Sequence, residues 1–449
     1  MGLKSGDNGV KALLQNRYAA AFRRFNTLGD VRVATNTERT HTAVVADGNV
    51  MMMQIPQSVV DFNGYITIVA SMLKTMLASA SLVAVVFDEP EHMTPAKREE
   101  QMKRDASRGK REVFASDDLD LTPRDDNFTL EQLKKLADCH ALIGHRAARQ
   151  RFFDAVLAAA VQRLQPTLDT WKRNGEESVI VLDGLDPRGA EREIGVTREP
   201  IIWATDNLTA MNFQRMKPCG EGDLKMAWFE KRLRELVEDE TLDMRLLIQS
   251  TIDTDSFAIT LNDVAQRAVD GVEETNVKGT LVLRERGMKR SLPSSDDAGG
   301  CGGASYLCCN YAGLSAMIQQ DMWSVVPSPS DQLMAMRLLT TAWAMCGCDF
   351  VSVPGLRADI VLQNMKAYTS TFHNELSRFR FVDGGEADVK AAIPALKKMV
   401  RLCADQAKLK KHREAMESVD PGTLSRGAWL CAYWAHNECA NTRAFGFSF

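Results

Sequence analysis

The chain has 449 residues, with 55 Lys and Arg against 59 Asp and Glu and a formal net charge of −4. Hydrophobic residues make up 45% and charged residues 25%, which excludes a disordered polyelectrolyte and suits a globular chain able to bury its own core. The acidic balance excludes a whole-protein attraction to nucleic acid, so any such surface has to be a local basic patch.

The opening residues are polar and carry no secretory apolar core. Gly6 stands where a myristoylation motif wants Ser or Thr, so Met1-Gly2 is not read as that signal. No apolar run approaches the roughly 18 residues that span a bilayer, so no membrane association is expected. The 10 cysteines follow no regular framework, which suits reduced thiols in an intracellular protein of the nucleus or cytoplasm rather than a secreted one.

In chain order, residues 42–46 form a short apolar run of strand length, and helical spacing follows over 65–80. A second buried strand is expected at 82–87, then a charge-rich exposed arm over 105–127 and a helical stretch over 130–164. Strands at 179–182 and 245–250 bracket a helix at 223–237, and a further β-branched strand at 279–284 is expected to one side. Residues 291–305, SLPSSDDAGGCGGAS, have linker composition, 328–345 has helical spacing, and the chain from about 391 onward reads as helical. No internal repeat is found. Strands alternating with helices predict an α/β fold with a central, mainly parallel twisted sheet flanked by helices.

The acids fall where the strands end. Val44-Val45-Ala46 runs into Asp47, Val85-Val86-Phe87 runs into Asp88, and Leu246-Leu247-Ile248 leads on to Asp253 and Asp255. In an open parallel sheet, carboxyl ends converge on the crevice where ligands bind. Carboxylates gathered there are driven toward protonation unless a cation compensates, and a hard divalent ion such as Mg²⁺ or Mn²⁺ is the natural partner. The plainer alternative is that an Asp after a strand is a turn residue or helix cap. Asp183 also ends an apolar run, and with no motif around it it is read as a turn residue.

The words around these acids resemble the flap-endonuclease and 5′–3′ exoribonuclease superfamily of PIN-like 5′ nucleases. VVADGNVMMMQ resembles the first metal-binding strand of flap endonucleases, and AVVFDEPEHMTPAKREEQMKRD resembles their second block. KPCGEGDLKMAWF is similar to the Gly-Glu-Gly-Glu block of the exoribonucleases, with Asp223 in place of the second Glu. STIDTDSFAI resembles the shared Asp-x-Asp block, and CGCDFVSVPGL the Gly-x-Asp-aromatic block after it. The start, MGLKSGDNGVKALLQ, is similar to the Met-Gly-aliphatic opening.

The resemblance implies a 5′ nuclease core over residues 1–365, with insertions at about 105–215 and 285–330, and a helical C-terminal region over 366–449. It implies two Mg²⁺ ions, replaceable by Mn²⁺, held by Asp47, Asp88, Glu221, Asp223, Asp253, Asp255 and Asp349. It further implies that Lys97 and Arg104, two helical turns apart, contact the scissile phosphate, and that Gly2 allows close approach to substrate. The implied activity is metal-dependent hydrolysis of nucleic acid near 5′ ends or flaps, DNA favoured over RNA. The alternatives are a 5′–3′ exoribonuclease and an inactive nucleic-acid-binding scaffold of the same fold.

Only Gly355 of the repeated glycines of a duplex-gripping helix–hairpin–helix is present, in Pro354-Gly355-Leu356-Arg357, which leans toward the exoribonuclease branch. Cys403, His412, Cys431, His436 and Cys439 match no familiar zinc finger and read as helix-core residues. Trp203, Trp228 and Trp343 lie in apolar contexts and read as core. Phe445, Phe447 and Phe449 of the tail either dock on a protein partner or pack back on the body.

Overall fold

The computed structural model describes residues 18–88, 130–136, 138–144, 146–184, 201–204, 222–251, 256, 259–261, 278–284, 306–310, 313–314 and 316–318. The chain divides into two compact units. One comprises Arg23–Asp253 with Thr275–Cys309, the other Met1–Phe22, Thr254–Glu274 and Asn310–Phe449. The first unit holds nearly all of the described structure. The expected arm at 105–127, linker at 291–305, helix at 328–345 and helical C-terminal region lie outside the described residues.

An eight-stranded sheet organises the first unit. Its strands are β1 (Phe22–Phe25), β2 (Thr42–Asp47), β3 (Leu82–Val86), β4 (Val179–Asp183), β5 (Ile201–Ala204), β6 (Leu246–Thr251), β7 (Lys278–Arg284) and β8 (Tyr306–Asn310), in the order β1-β8-β7-β6-β2-β3-β4-β5. β7, β6, β2, β3 and β4 run parallel, and β5 pairs antiparallel with β4. The mainly parallel sheet with flanking helices is therefore observed. The strand expected at one side, β7, lies beside β6, with β8 and β1 beyond it. β4 and β5 both fall within the span 105–215 and are strands of this sheet.

Parallel strands covered on both faces have to be apolar throughout, and β2, β3 and β4 are buried almost from end to end. Alternation then assigns the faces. Val44, Ala46, Val83, Val85, Ile180 and Leu182 join a core with α1 (Leu28–Ala34), α2 (Gly48–Met53), α3 (Phe62–Ser79), α4 (Leu130–Lys135), α5 (His140–Gly144) and α6 (Arg146–Arg173). Ala43, Val45, Leu82, Ala84, Val86, Val179 and Val181 point the other way, onto α7 (Gly222–Glu238) and its Met226, Phe229, Leu233 and Leu236.

The helices form for local reasons. Asp61 caps α3 by accepting the Gly64 N–H at 2.9 Å, and Phe62, Tyr65, Ile66, Val69, Leu73 and Leu77 give it a buried stripe at helical spacing. The helical stretch expected over 130–164 is divided among three helices. Asp138 restarts the chain by accepting the His140 N–H at 2.8 Å, and the Cys139 N–H leaves the helical pattern to bind the Val60 carbonyl at 2.7 Å. At the other end α6 continues to Arg173 through Pro166. Proline removes a helical hydrogen bond, but the buried stripe of Val161 and Leu164 continues past it in Leu168, which keeps the segment helical. Phe152 of α6 meets Tyr65 edge-on at 5.0 Å and Phe62 at 6.1 Å, locking α6 to α3. No helix among the described residues is long and apolar enough to cross a membrane.

Candidate functional site

From β2 the chain builds outward through β3 to β4 and β5, then returns to the other side of β2 with β6 and β7. The direction of winding thus reverses between β2 and β6. In open α/β sheets the carboxyl ends beside such a reversal frame the ligand crevice. Asp47 ends β2 on one side of it.

Asp47 and Asp183 end their strands level with one another. Asp47 is in register with Val86, and Val86 with Asp183. Asp47 and Asp183 have the parity of Val45 and Val181, whose side chains face α7. The ladder continues one residue beyond β3, since the Phe87 N–H donates to the Asp183 carbonyl at 2.8 Å. Asp88 then meets the start of α7, where its Oδ1 accepts the Gly222 N–H at 2.8 Å. A helix N-terminus leaves its first N–H groups without intrahelical partners, and an aspartate there satisfies one and complements the dipole. Asp223, in the same first turn, is buried.

Phe87 is the hub of this edge. Its ring is fully buried and lies on Gly48, where any side chain would overlap it. The residue after Asp47 is therefore held to glycine by close approach. On the other side its carbonyl accepts from Lys225 Nζ at 3.0 Å, and that ammonium stands 3.6 Å from Asp183 Oδ1. Both side chains of the pair are buried, at 0% and 1% exposure. A closed circuit results: Asp183 carbonyl to Phe87 N–H, Phe87 carbonyl to Lys225, Lys225 to the Asp183 carboxylate. Gly184 completes the fit with φ +86°; a Cβ there would stand 2.8 Å from Lys225 Nζ.

Asp183, read from sequence as a turn residue, is a buried ion-pair partner, and Lys225 was not singled out at all. The sequence holds one signal that could have found them: β4 ends in Asp-Gly as β2 does. Asp47 performs the ordinary capping role too, accepting the Val50 N–H at 3.0 Å to start α2. Capping does not exhaust a carboxylate, which offers two oxygens and about four lone-pair positions. Trp228 packs beside the α7 core and meets Phe229 edge-on at 4.9 Å, in line with a core role.

Of the seven acids singled out as ligands, Asp47, Asp88 and Asp223 are described. Glu221, Asp253, Asp255 and Asp349 lie outside the described residues, as do Gly2, Lys97 and Arg104 and the Cys/His group of the C-terminal region. Among the described residues no three Asp, Glu, His or Cys side chains group closely enough to hold a metal ion. The three acids in view are all hard oxygen donors at one edge, a donor chemistry that fits Mg²⁺ or Mn²⁺. They do not make a complete site by themselves. No protein-family model matches the chain, and no curated protein matches it significantly.

Proposed function

We propose that this chain is a divalent-metal-dependent nuclease that hydrolyses phosphodiester bonds near 5′ ends or flaps of nucleic acid, with DNA the favoured substrate. The observation that carries this reading is the carboxyl edge of the sheet. Asp47 lies beside the winding reversal, Asp88 is held by the first N–H of α7, and Asp223 stands in the turn that holds it. Five sequence blocks in the order found in flap endonucleases and 5′–3′ exoribonucleases add Glu221, Asp253, Asp255 and Asp349 to the same set.

These seven carboxylates would hold two Mg²⁺ ions. When bound, such a pair supplies an activated water and neutralises charge on attacking and departing oxygens. The chain's own residues do the rest. The Gly222 N–H fixes the orientation of Asp88, and Gly48 lets the β2 end close against Phe87. Lys97 and Arg104 would bind the scissile phosphate and stabilise its growing negative charge. Gly2 would give the substrate backbone room to approach.

The test is cleavage of end-labelled substrates in Mg²⁺ by the full chain, with Asp88→Ala and Asp253→Ala as controls. The panel holds a 5′-flap DNA, a nicked duplex, single-stranded DNA and a 5′-monophosphate RNA. Flap or duplex cutting is expected, and each control should lose about 100-fold or more in rate, since a metal contributes several kcal/mol to the transition state. RNA degraded from its 5′ end would move the chain to the exoribonuclease branch. Nucleic acid bound but never cut, in Mg²⁺ or Mn²⁺, would make it a scaffold.

A further inference from the structure

The buried Lys225–Asp183 pair lies beside the proposed metal ligands without being one of them, and its geometry is specific. Both groups act on the backbone of a single residue, Phe87. Asp183 takes the Phe87 N–H through its backbone carbonyl, while Lys225 takes the Phe87 carbonyl at 3.0 Å and is itself tethered to the Asp183 carboxylate at 3.6 Å. The carbonyl carbon so held is bonded to the nitrogen of Asp88. Three residues before Lys225 on the same helix, Gly222 holds the Asp88 carboxylate at 2.8 Å. One turn of α7 thus grips Asp88 twice, by its backbone and by its side chain.

We propose that Lys225 and Asp183 are positioning residues that set Asp88 for divalent-cation binding, an inference that rests on the nuclease reading above. A buried ion pair is a poor way to gain stability, because desolvation offsets much of the attraction and an apolar replacement of similar volume often folds as well. What it does supply here is direction. The ammonium meets the Phe87 carbonyl at 3.0 Å, with the Asp183 carboxylate and Gly184 beside it. Partners behind a metal ligand commonly set affinity or activity by about 10- to 100-fold.

Mn²⁺ binding to the full chain, measured by titration calorimetry beside the thermal midpoint of the same sample, separates the outcomes. The variant is the double replacement Lys225→Met with Asp183→Asn, which removes both charges of the pair at once. It is expected to fold, to bind Mn²⁺ about 10-fold or more weakly, and to lose cleavage in proportion. A folded double variant with wild-type Mn²⁺ affinity overturns the positioning role and leaves the nuclease reading intact. Wild-type protein that neither binds Mn²⁺ nor cleaves overturns the nuclease reading, and the positioning role with it. Should the double variant not fold, Asp183→Glu gives the same reading. It keeps both charges while moving the tether by one methylene, and unchanged Mn²⁺ affinity there is equally fatal to the proposal.

Discussion

The two edges of the sheet are built from different chemistry. At the amino edge, Arg39 donates to the Leu77 carbonyl at 2.7 Å, to the Glu177 carbonyl at 3.1 Å and to the Ser178 hydroxyl, and its guanidinium lies 4.8 Å from the Trp171 ring centre. Ser81 reaches back to the Thr40 carbonyl at 2.9 Å, and the Arg245 N–H closes onto His41 at 2.8 Å. Side chains there serve backbone carbonyls that the strands leave over, which is the work of holding a fold. At the carboxyl edge the relation is reversed: backbone N–H groups of Val50 and Gly222 serve carboxylates. The proposed metal ligands Asp47 and Asp88 are the acids so held. The one ion pair buried among the described residues at that edge joins the two kinds: the Lys225 side chain serves the Phe87 carbonyl and stands beside the Asp183 carboxylate.

The contrast can be broken most forcefully at Lys225. Lys225→Met alone removes the ammonium beside the buried Asp183 carboxylate, and loss of about 3–5 kcal/mol of stability is expected in urea unfolding. A loss below about 1 kcal/mol would mean that water or another group already balances Asp183, and the closed circuit would lose its meaning. Next in size is Arg39→Met at the amino edge. Three hydrogen bonds and a cation–π contact vanish from a partly exposed residue, so about 1–3 kcal/mol is expected, with cleavage and Mn²⁺ affinity unchanged in the folded variant. A fall in Mn²⁺ affinity would erase the division of labour between the edges.

The smallest effect belongs to two buried cysteines, Cys139 just before α5 and Cys308 in β8. Burial, aided by the Asp138 and Asp61 carboxylates, pushes the Cys139 thiol from 9.0 up to about 12, and burial alone lifts Cys308 from 9.0 to about 12. The folded chain keeps thiol protons that the unfolded chain releases. Their contribution is therefore complete below about pH 9 and declines as the pH rises toward about 12. Cys139→Val should flatten that alkaline decline relative to wild type. An unchanged slope between about pH 9 and pH 11 would show that Cys139 ionises freely in the folded state.

Much of the fold was legible because of how it is buried. β2, β3, β4 and β6 are covered on both faces, so they read as unbroken apolar runs, and α3 and α7 read from their stripes. β1, β5 and β8 went unread. FRRF, IIWA and YLCCN are four or five residues long, and pairing at a sheet margin leaves no period in so short a word. The breaks before α6 were missed as well, because Asp138 and Cys139 interrupt the helix through a cap and a contact with Val60, which spacing cannot report. In the site, Asp47, Asp88 and Asp223 were legible as acids placed at element ends. The role of Asp183 was not, since it depends on a lysine brought from a distant helix, and nothing local to either residue announces the other.

If the carboxyl edge is the proposed metal centre, the full chain binds Mn²⁺ in a fixed stoichiometry. Equilibrium dialysis with metal analysis should return about two ions per wild-type chain, as a two-metal site requires, and fewer in Asp88→Ala. A wild-type chain that binds no Mn²⁺, or an Asp88→Ala chain that binds as many ions as wild type, would contradict it.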